Sequence, residues 1–183
     1  MNLCILPEYL LTKNLIVGCG NRLIGDDGFG PEVIKALEKQ NLDILLGNNN
    51  IGPDANSEPK LFYLLDAGTS VREILFNLML SEIKPKCIII IDGVDKGRKP
   101  GEIFEISVDE IPKNKTDDFS FHLMPTTNML KEIKDLCKIK VIILVCQVES
   151  IPDDVKPGLS KTLQRAVPKM CEMVMKKLNE EDV

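Results

Sequence analysis

Two adjacent carboxylates, Asp26 and Asp27, interrupt a glycine-rich turn in Gly18-Cys19-Gly20-Asn21-Arg22-Leu23-Ile24-Gly25-Asp26-Asp27-Gly28-Phe29-Gly30-Pro31. Turns of this kind, between an apolar run and a helical pattern, usually cradle phosphate, because backbone N–H groups and a helix N-terminus attract anions. Paired carboxylates repel such a ligand. An acidic turn at a strand end suits a cation, or a ligand that brings one. The glycine spacing agrees: a dinucleotide turn, Gly-x-Gly-x-x-Gly, would need glycine at 23, where Leu23 stands. The acid expected about twenty residues further on, closing a second strand, is missing too; the next acid at such a place is Asp66.

Three more residues could join this chemistry. Asp66 ends an apolar run in Asp66-Ala67-Gly68-Thr69, Asp92 ends another in Ile91-Asp92-Gly93, and the sole histidine, His122, precedes a helical pattern. Two carboxylates and an imidazole make a three-ligand set with open positions, suited to a borderline divalent metal such as nickel, zinc, manganese or iron. Each residue also has an ordinary role open to it. Aspartate at a strand end commonly caps a helix or shapes a turn, and a histidine near a helix start is often a surface residue.

Protein-nucleophile chemistry finds little support. There is no Gly-x-Ser-x-Gly elbow and no His-Glu-x-x-His. A Cys–His pair would have to combine His122 with Cys19, and one histidine cannot serve as both metal ligand and general base. The six cysteines, Cys4, Cys19, Cys87, Cys137, Cys146 and Cys171, contain no C-x-x-C pair. Cys87 and Cys146 lie inside apolar runs and read as reduced packing residues.

The elements that must position these groups are legible as alternating patterns. Strands are expected at 14–19, 61–65, 87–91 and 141–146; the first, third and fourth are nearly all apolar, as in strands covered on both faces. Helices are expected at 31–40, 70–80, 125–136 and 159–178. This alternation predicts an α/β three-layer sandwich, with helices on both faces of a twisted, mostly parallel five-stranded sheet. The fifth strand is 103–108. It follows the third across a Lys/Gly/Pro turn too short for a helical crossover, so it is expected to be antiparallel and beside the third. In such sheets, sites gather beyond the carboxyl ends of the parallel strands, where the acids fall. Residues 1–183 read as a single domain, with the polar, Asn-rich segment 41–60 as a surface insertion.

A net charge of −5 and 4% aromatic residues argue against nucleic acid or an anionic membrane as partner. No N-terminal signal pattern and no apolar run of spanning length is visible, so a cytoplasmic protein is expected.

The same residues resemble the motifs of the hydrogenase maturation endopeptidases. Gly18-Cys19-Gly20-Asn21 with Asp26-Asp27-Gly28-Phe29-Gly30 is similar to the first family signature, G-x-G-N-x-L-x-x-D-[DE]-x-x-G. Asp66-Ala67-Gly68-Thr69 resembles D-G-G-T, with Ala67 in place of glycine. Ile89-Ile90-Ile91-Asp92-Gly93 with Pro100-Gly101-Glu102-Ile103 resembles the third motif, and Ser120-Phe121-His122-Leu123-Met124-Pro125 the fourth. The resemblance implies an endopeptidase that removes a C-terminal extension from the large-subunit precursor of a [NiFe] hydrogenase after nickel insertion. It further implies that the substrate's nickel is read by Asp27, Asp92 and His122, with Asp66 lining the cleft as ligand support or in substrate handling; the absence of a protein nucleophile makes water the expected attacking group, with Asp66 the expected catalytic carboxylate that orients it. The nickel is carried by the substrate and bound transiently; no organic cofactor is implied. The implied protein is a monomer that docks to its precursor, and overall similarity points to a deazaflavin-coenzyme-reducing hydrogenase. Two other readings of the residues stay open: a stand-alone divalent-metal hydrolase holding its own metal, and a nucleotide-binding module on the same scaffold.

Overall fold

Three apolar runs form the centre of the sheet, and everything else is arranged to cover them. The chain is described by a computed structural model over residues 7–47, 62–108 and 127–181. β1 (Asn14–Cys19) leads through a 3₁₀ turn (Gly25–Gly28) into α1 (Phe29–Gly47). β2 (Phe62–Gly68), α2 (Val71–Leu80), β3 (Cys87–Val94) and β4 (Ile103–Ile106) follow, then α3 (Thr127–Asp135), β5 (Lys140–Gln147) and α4 (Lys161–Glu181). The strand order is β2-β1-β3-β5-β4. β1 runs parallel to β2 and β3, β3 runs parallel to β5, and only β4 is antiparallel.

The three central strands are buried along nearly their whole length, and side chains alternate between the two faces as the pleat requires. Leu15, Val17, Cys19, Ile88, Ile90, Ile143 and Val145 face α2 and α3, where Val71, Leu75, Leu130 and Ile133 cover them. Ile16, Ile89, Ile91, Ile142 and Leu144 face α1 and α4, against Val33, Ile34, Leu37, Leu163, Met170 and Val174. Burying both faces is why these runs read as continuous apolar sequence rather than alternation. The result is the expected three-layer sandwich. No helix among the described residues is long and apolar enough to cross a membrane.

Three elements differ from expectation. β4 lies beside β5, not β3, pairing Ile103 with Cys146 and Ile106 with Ile143. The free edge of β3 is taken by β5 over eight residues, from Cys87–Lys140 to Val94–Gln147. The connecting turn therefore passes over the end of β5. Gln147 anchors it there, its Oε1 accepting from the Lys96 N–H (2.8 Å) and the Arg98 N–H (3.1 Å). β2 begins one residue later than expected and runs on through Asp66 to Gly68, so Asp66 is within the strand. α1 begins at Phe29 with Pro31 in its first turn, a favoured place for proline, and extends to Gly47. Residues 41–47 of the polar segment thus belong to this helix, and 48–61 lie outside the described residues.

Candidate active site

β1 is the switch point of the sheet: its two neighbours, β2 and β3, are reached by helices on opposite faces, and a crevice opens at the carboxyl ends there. The turn after β1 folds into this crevice because of its glycines. Gly20 has φ +123°, and a Cβ there would stand 1.8 Å from the Asp27 carbonyl oxygen. Gly30, at the start of α1, lies so close to the strand ends that a Cβ would meet the carbonyl oxygens of Cys19 at 2.3 Å and Ile91 at 2.4 Å. Any other residue at either place would push the turn, and Asp27 with it, away from the sheet.

Asp27 and Asp92 are both buried; the main-chain carbonyl of Asp27 and the side chain of Asp92 lie beside Gly20. The Asn21 N–H donates to Asp27 Oδ2 at 2.8 Å, while the Asn21 side-chain oxygen accepts from the Leu23 N–H at 3.0 Å and shapes the turn. Asp92 sits within β3, on the face shared by Ile90 and Val94, and its Oδ1 accepts from the Gly93 N–H at 2.8 Å. That oxygen is 3.6 Å from where a Gly20 Cβ would be.

Asp66 approaches from the other side. The register between β1 and β2 slips at this point, Gly18 pairing with Asp66 but Cys19 with Gly68. Ala67 is the extra residue of a bulge. Its side chain turns into the core and leaves the Asp66 carboxylate partly exposed at the strand end. Asp66 Oδ1 accepts from the Gly68 N–H (3.0 Å), and Oδ2 pairs with Arg22 Nη2 (3.1 Å). The Arg22 guanidinium also donates to the Pro31 carbonyl (2.8 Å) and approaches Glu32 (3.5 Å), tying β2 to the first turn of α1. Arg22 was not among the residues singled out from sequence. The available signal was its charge: it is the one basic residue between 14 and 31, in a turn otherwise acidic.

Asp26 does not join its neighbour. It is buried on the far side of the turn. There Oδ1 accepts from the Ser160 N–H (2.6 Å), and Oδ2 from the N–H groups of Glu149 (2.9 Å) and Ser150 (3.4 Å). Ser160 in turn caps α4, its hydroxyl oxygen accepting from the Leu163 N–H at 3.2 Å. The expectation that both acids of the turn are offered to a cation is corrected for Asp26. Its oxygens are turned to three part-buried backbone donors of the β5–α4 connection.

His122, the imidazole of the expected ligand set, lies outside the described residues. Among the described residues no three His, Cys, Asp or Glu side chains are placed to hold a metal ion. Asp27 and Asp92 are the two described members of that set; the Asp27 carboxylate is held at Asn21 and that of Asp92 lies beside the preceding Gly20.

A profile of the family described as hydrogenase maturation protease matches residues 54–177. A Methanocaldococcus jannaschii protein, provisionally named a hydrogenase maturation protease, is 41% identical over 162 residues, covering 88% of this chain and 93% of that one. The chain belongs to the hydrogenase maturation protease family. The coenzyme F420 hydrogenase subunit delta of Methanothermobacter thermautotrophicus is 34% identical over 88% of this chain and 91% of its own. In fold the chain is similar to the crystal structure of the hydrogenase 3 maturation protease (TM-score 0.64, 21% identity, 89% of both chains). It is likewise similar to the hydrogenase maturating endopeptidase HybD of Escherichia coli (TM-score 0.62, 24% identity, 93% of this chain and 94% of that one).

For a maturation protease the first question is the nucleophile. Among the described residues, Cys19 is the thiol on which Asp92, Asp66 and Asp27 act, and it is fully buried on the α2/α3 face. Burial pushes it well above the ordinary thiol range, and the negative charges of Asp92, Asp66 and Asp27 push it further. A thiol held neutral and covered is a poor nucleophile. The charges of Asp92, Asp66 and Asp27 are thus all felt at the end of β1, where Cys19 stands.

Proposed function

We propose that the chain is an endopeptidase that removes the C-terminal extension from the nickel-loaded large-subunit precursor of a [NiFe] hydrogenase. The observation that carries this reading is two buried carboxylates held on adjoining residues of the turn, Asp27 Oδ2 on the Asn21 N–H and Asp92 Oδ1 beside Gly20, both acting on a thiol unfit for attack. A peptide-cleaving site without a protein nucleophile needs an activated water, and a substrate-borne metal supplies both the Lewis acid and the recognition handle. Asp27, Asp92 and His122 are the residues assigned to the substrate's nickel. His122 enters this set through the family resemblance of Ser120-Phe121-His122-Leu123-Met124-Pro125. Two carboxylates and one imidazole hold nickel incompletely and leave positions for the substrate's thiolates, so the product keeps its metal on release. Asp66, steadied by Arg22, is assigned to orienting the attacking water.

The partner is a [NiFe] hydrogenase large-subunit precursor. The likeness to the F420 hydrogenase subunit delta favours a deazaflavin-coenzyme-reducing enzyme. The protein is assigned to the cytoplasm and acts as a monomer.

The test is a processing assay in which mass spectrometry follows the precursor's C-terminus, with and without inserted nickel. Cleavage of the loaded form alone, abolished in His122→Ala, is expected. Equal cleavage of both forms overturns the nickel checkpoint. No cleavage of a cognate loaded precursor, by a chain that retains stoichiometric metal of its own, replaces this reading with a stand-alone metal hydrolase.

A further inference from the structure

The loop between β5 and α4 forms a short ribbon with the acidic turn. The Lys156 N–H donates to the Leu23 carbonyl and the Gly25 N–H to the Lys156 carbonyl, both at 2.8 Å, making a parallel bridge between Ile24 and Lys156. In a parallel pair the residues preceding the bridge stand side by side on one face. That register sets Leu23 beside Val155, and both are open to solvent, at 53% and 72% exposure. Ile151, 41% exposed, precedes the Pro152 that abuts Gly25.

This loop is not slack. Asp26 holds Glu149 and Ser150 at one end and Ser160 at the other, so the three apolar side chains are presented on a braced backbone. Neighbouring apolar residues exposed on a fixed support mark a contact surface more than scattered ones do. Its border is acidic on balance: Glu149, Asp153 and Asp154 are exposed, as is Lys156.

We propose that Leu23, Ile151 and Val155 form the docking surface for the folded body of the protein substrate, which presents an apolar patch bordered by basic residues. This rests on the maturation-protease reading above. Leu23 belongs to the same turn as Asp27, so a body seated on it is held by the segment that carries the carboxylate. A second copy of the chain fits poorly. Its own Glu149, Asp153 and Asp154 would face their counterparts in a two-fold pair, on a chain of net charge −5.

The experiment is steady-state processing of a nickel-loaded large-subunit precursor that the wild-type chain cleaves, with thermal melts to confirm folding. Val155→Asp and the double variant Leu23→Ser/Val155→Ser should raise KM by about tenfold or more while kcat stays within about twofold. Asp153→Lys/Asp154→Lys should raise KM by about threefold at low salt, with the effect shrinking as salt is added. A control on the exposed apolar residues of α2, Phe76→Ser/Leu80→Ser, should leave both constants alone. Should the double variant not fold, Val155→Asp, at the most exposed position, decides the matter. The proposal is overturned by wild-type KM in folded Val155→Asp, by a fall in kcat alone, or by a larger KM effect from the α2 control. It also falls if sedimentation finds a dimer of the chain that Val155→Asp dissolves. A wild-type chain that cleaves no loaded precursor defeats the protease reading itself, and this surface with it.

Discussion

Asp26 and Asp27 are consecutive, chemically identical and equally buried, yet they serve opposite sides of one turn. Asp26 faces the β5–α4 loop and spends its oxygens on three backbone N–H groups. Asp27 faces the end of β1, where Asp92 and Asp66 also arrive. Each neighbourhood contains a buried thiol that registers the difference. Cys146 is pushed up to about 12, by burial and then by the single charge of Asp26. Cys19 is pushed up by burial and then by three charges. One carboxylate surrounded by donors is a structural brace. Carboxylates whose charges add at one buried thiol make a negative field there.

Exchanging the two roles by mutation is the sharpest way to break this contrast. Asp26→Ala removes the shared acceptor of three part-buried N–H groups, and should cost about 3 kcal/mol. For a chain of this size that lowers the melting temperature by roughly 10 °C. Asp27→Asn keeps the shape of the turn and should leave the melt within a few degrees, while slowing cleavage of loaded precursor by upwards of about a hundredfold. Calorimetry and the processing assay on both variants are sufficient. If Asp27→Asn melts like Asp26→Ala and cleavage tracks stability in both, the division of labour is wrong.

Arg22 lies between the two neighbourhoods and offers a middle-sized effect. Its guanidinium is partly exposed, so Arg22→Met should cost less than about 1 kcal/mol in stability. Releasing the Asp66 carboxylate should slow cleavage by about tenfold through kcat, with restoration in Arg22→Lys incomplete because a lysine cannot span Asp66, Pro31 and Glu32 together. A variant with unchanged kcat would remove Asp66 from the chemistry.

The smallest expected effect is alkaline. Cys146 and Cys171 are raised from about 9 to about 12 and about 11, chiefly by burial. Groups whose folded pKa is raised favour the folded state fully below their unfolded pKa, and that contribution is lost as pH rises through the folded value. Melting temperature should therefore fall between about pH 9 and 11, and Cys171→Ala should flatten the fall. Comparing the slopes of wild type and variant isolates the contribution of the thiol.

Much of this architecture is visible in local pattern. Leu15–Cys19, Ile88–Ile91 and Ile142–Cys146 are apolar on both faces because both faces are covered, so strand identity and the layered arrangement follow from the run itself. The acids at the ends of those runs follow too, because a strand's carboxyl end is where a parallel sheet opens. The motif glycines are also interpretable in sequence, since only a residue without a side chain allows the turn to lie against Asp27 and the strand ends.

Other features depend on partners far along the chain. Nothing in the sequence near Asp26 distinguishes it from Asp27; the donors that claim it are at 149, 150 and 160. The place of β4 depends on β5, which is formed by residues that come later and takes the edge β4 was expected to use. The exposure of Asp66 depends on a bulge that appears only when β2 is laid against β1. The sequence by itself determined which elements form and which residues stand at the mouth of the sheet, because those are set by short-range sterics and the burial of apolar runs. Only the tertiary structure decided which carboxylate braces the fold and which faces the crevice, because hydrogen-bond donors and strand edges are allotted by whichever distant segment reaches them.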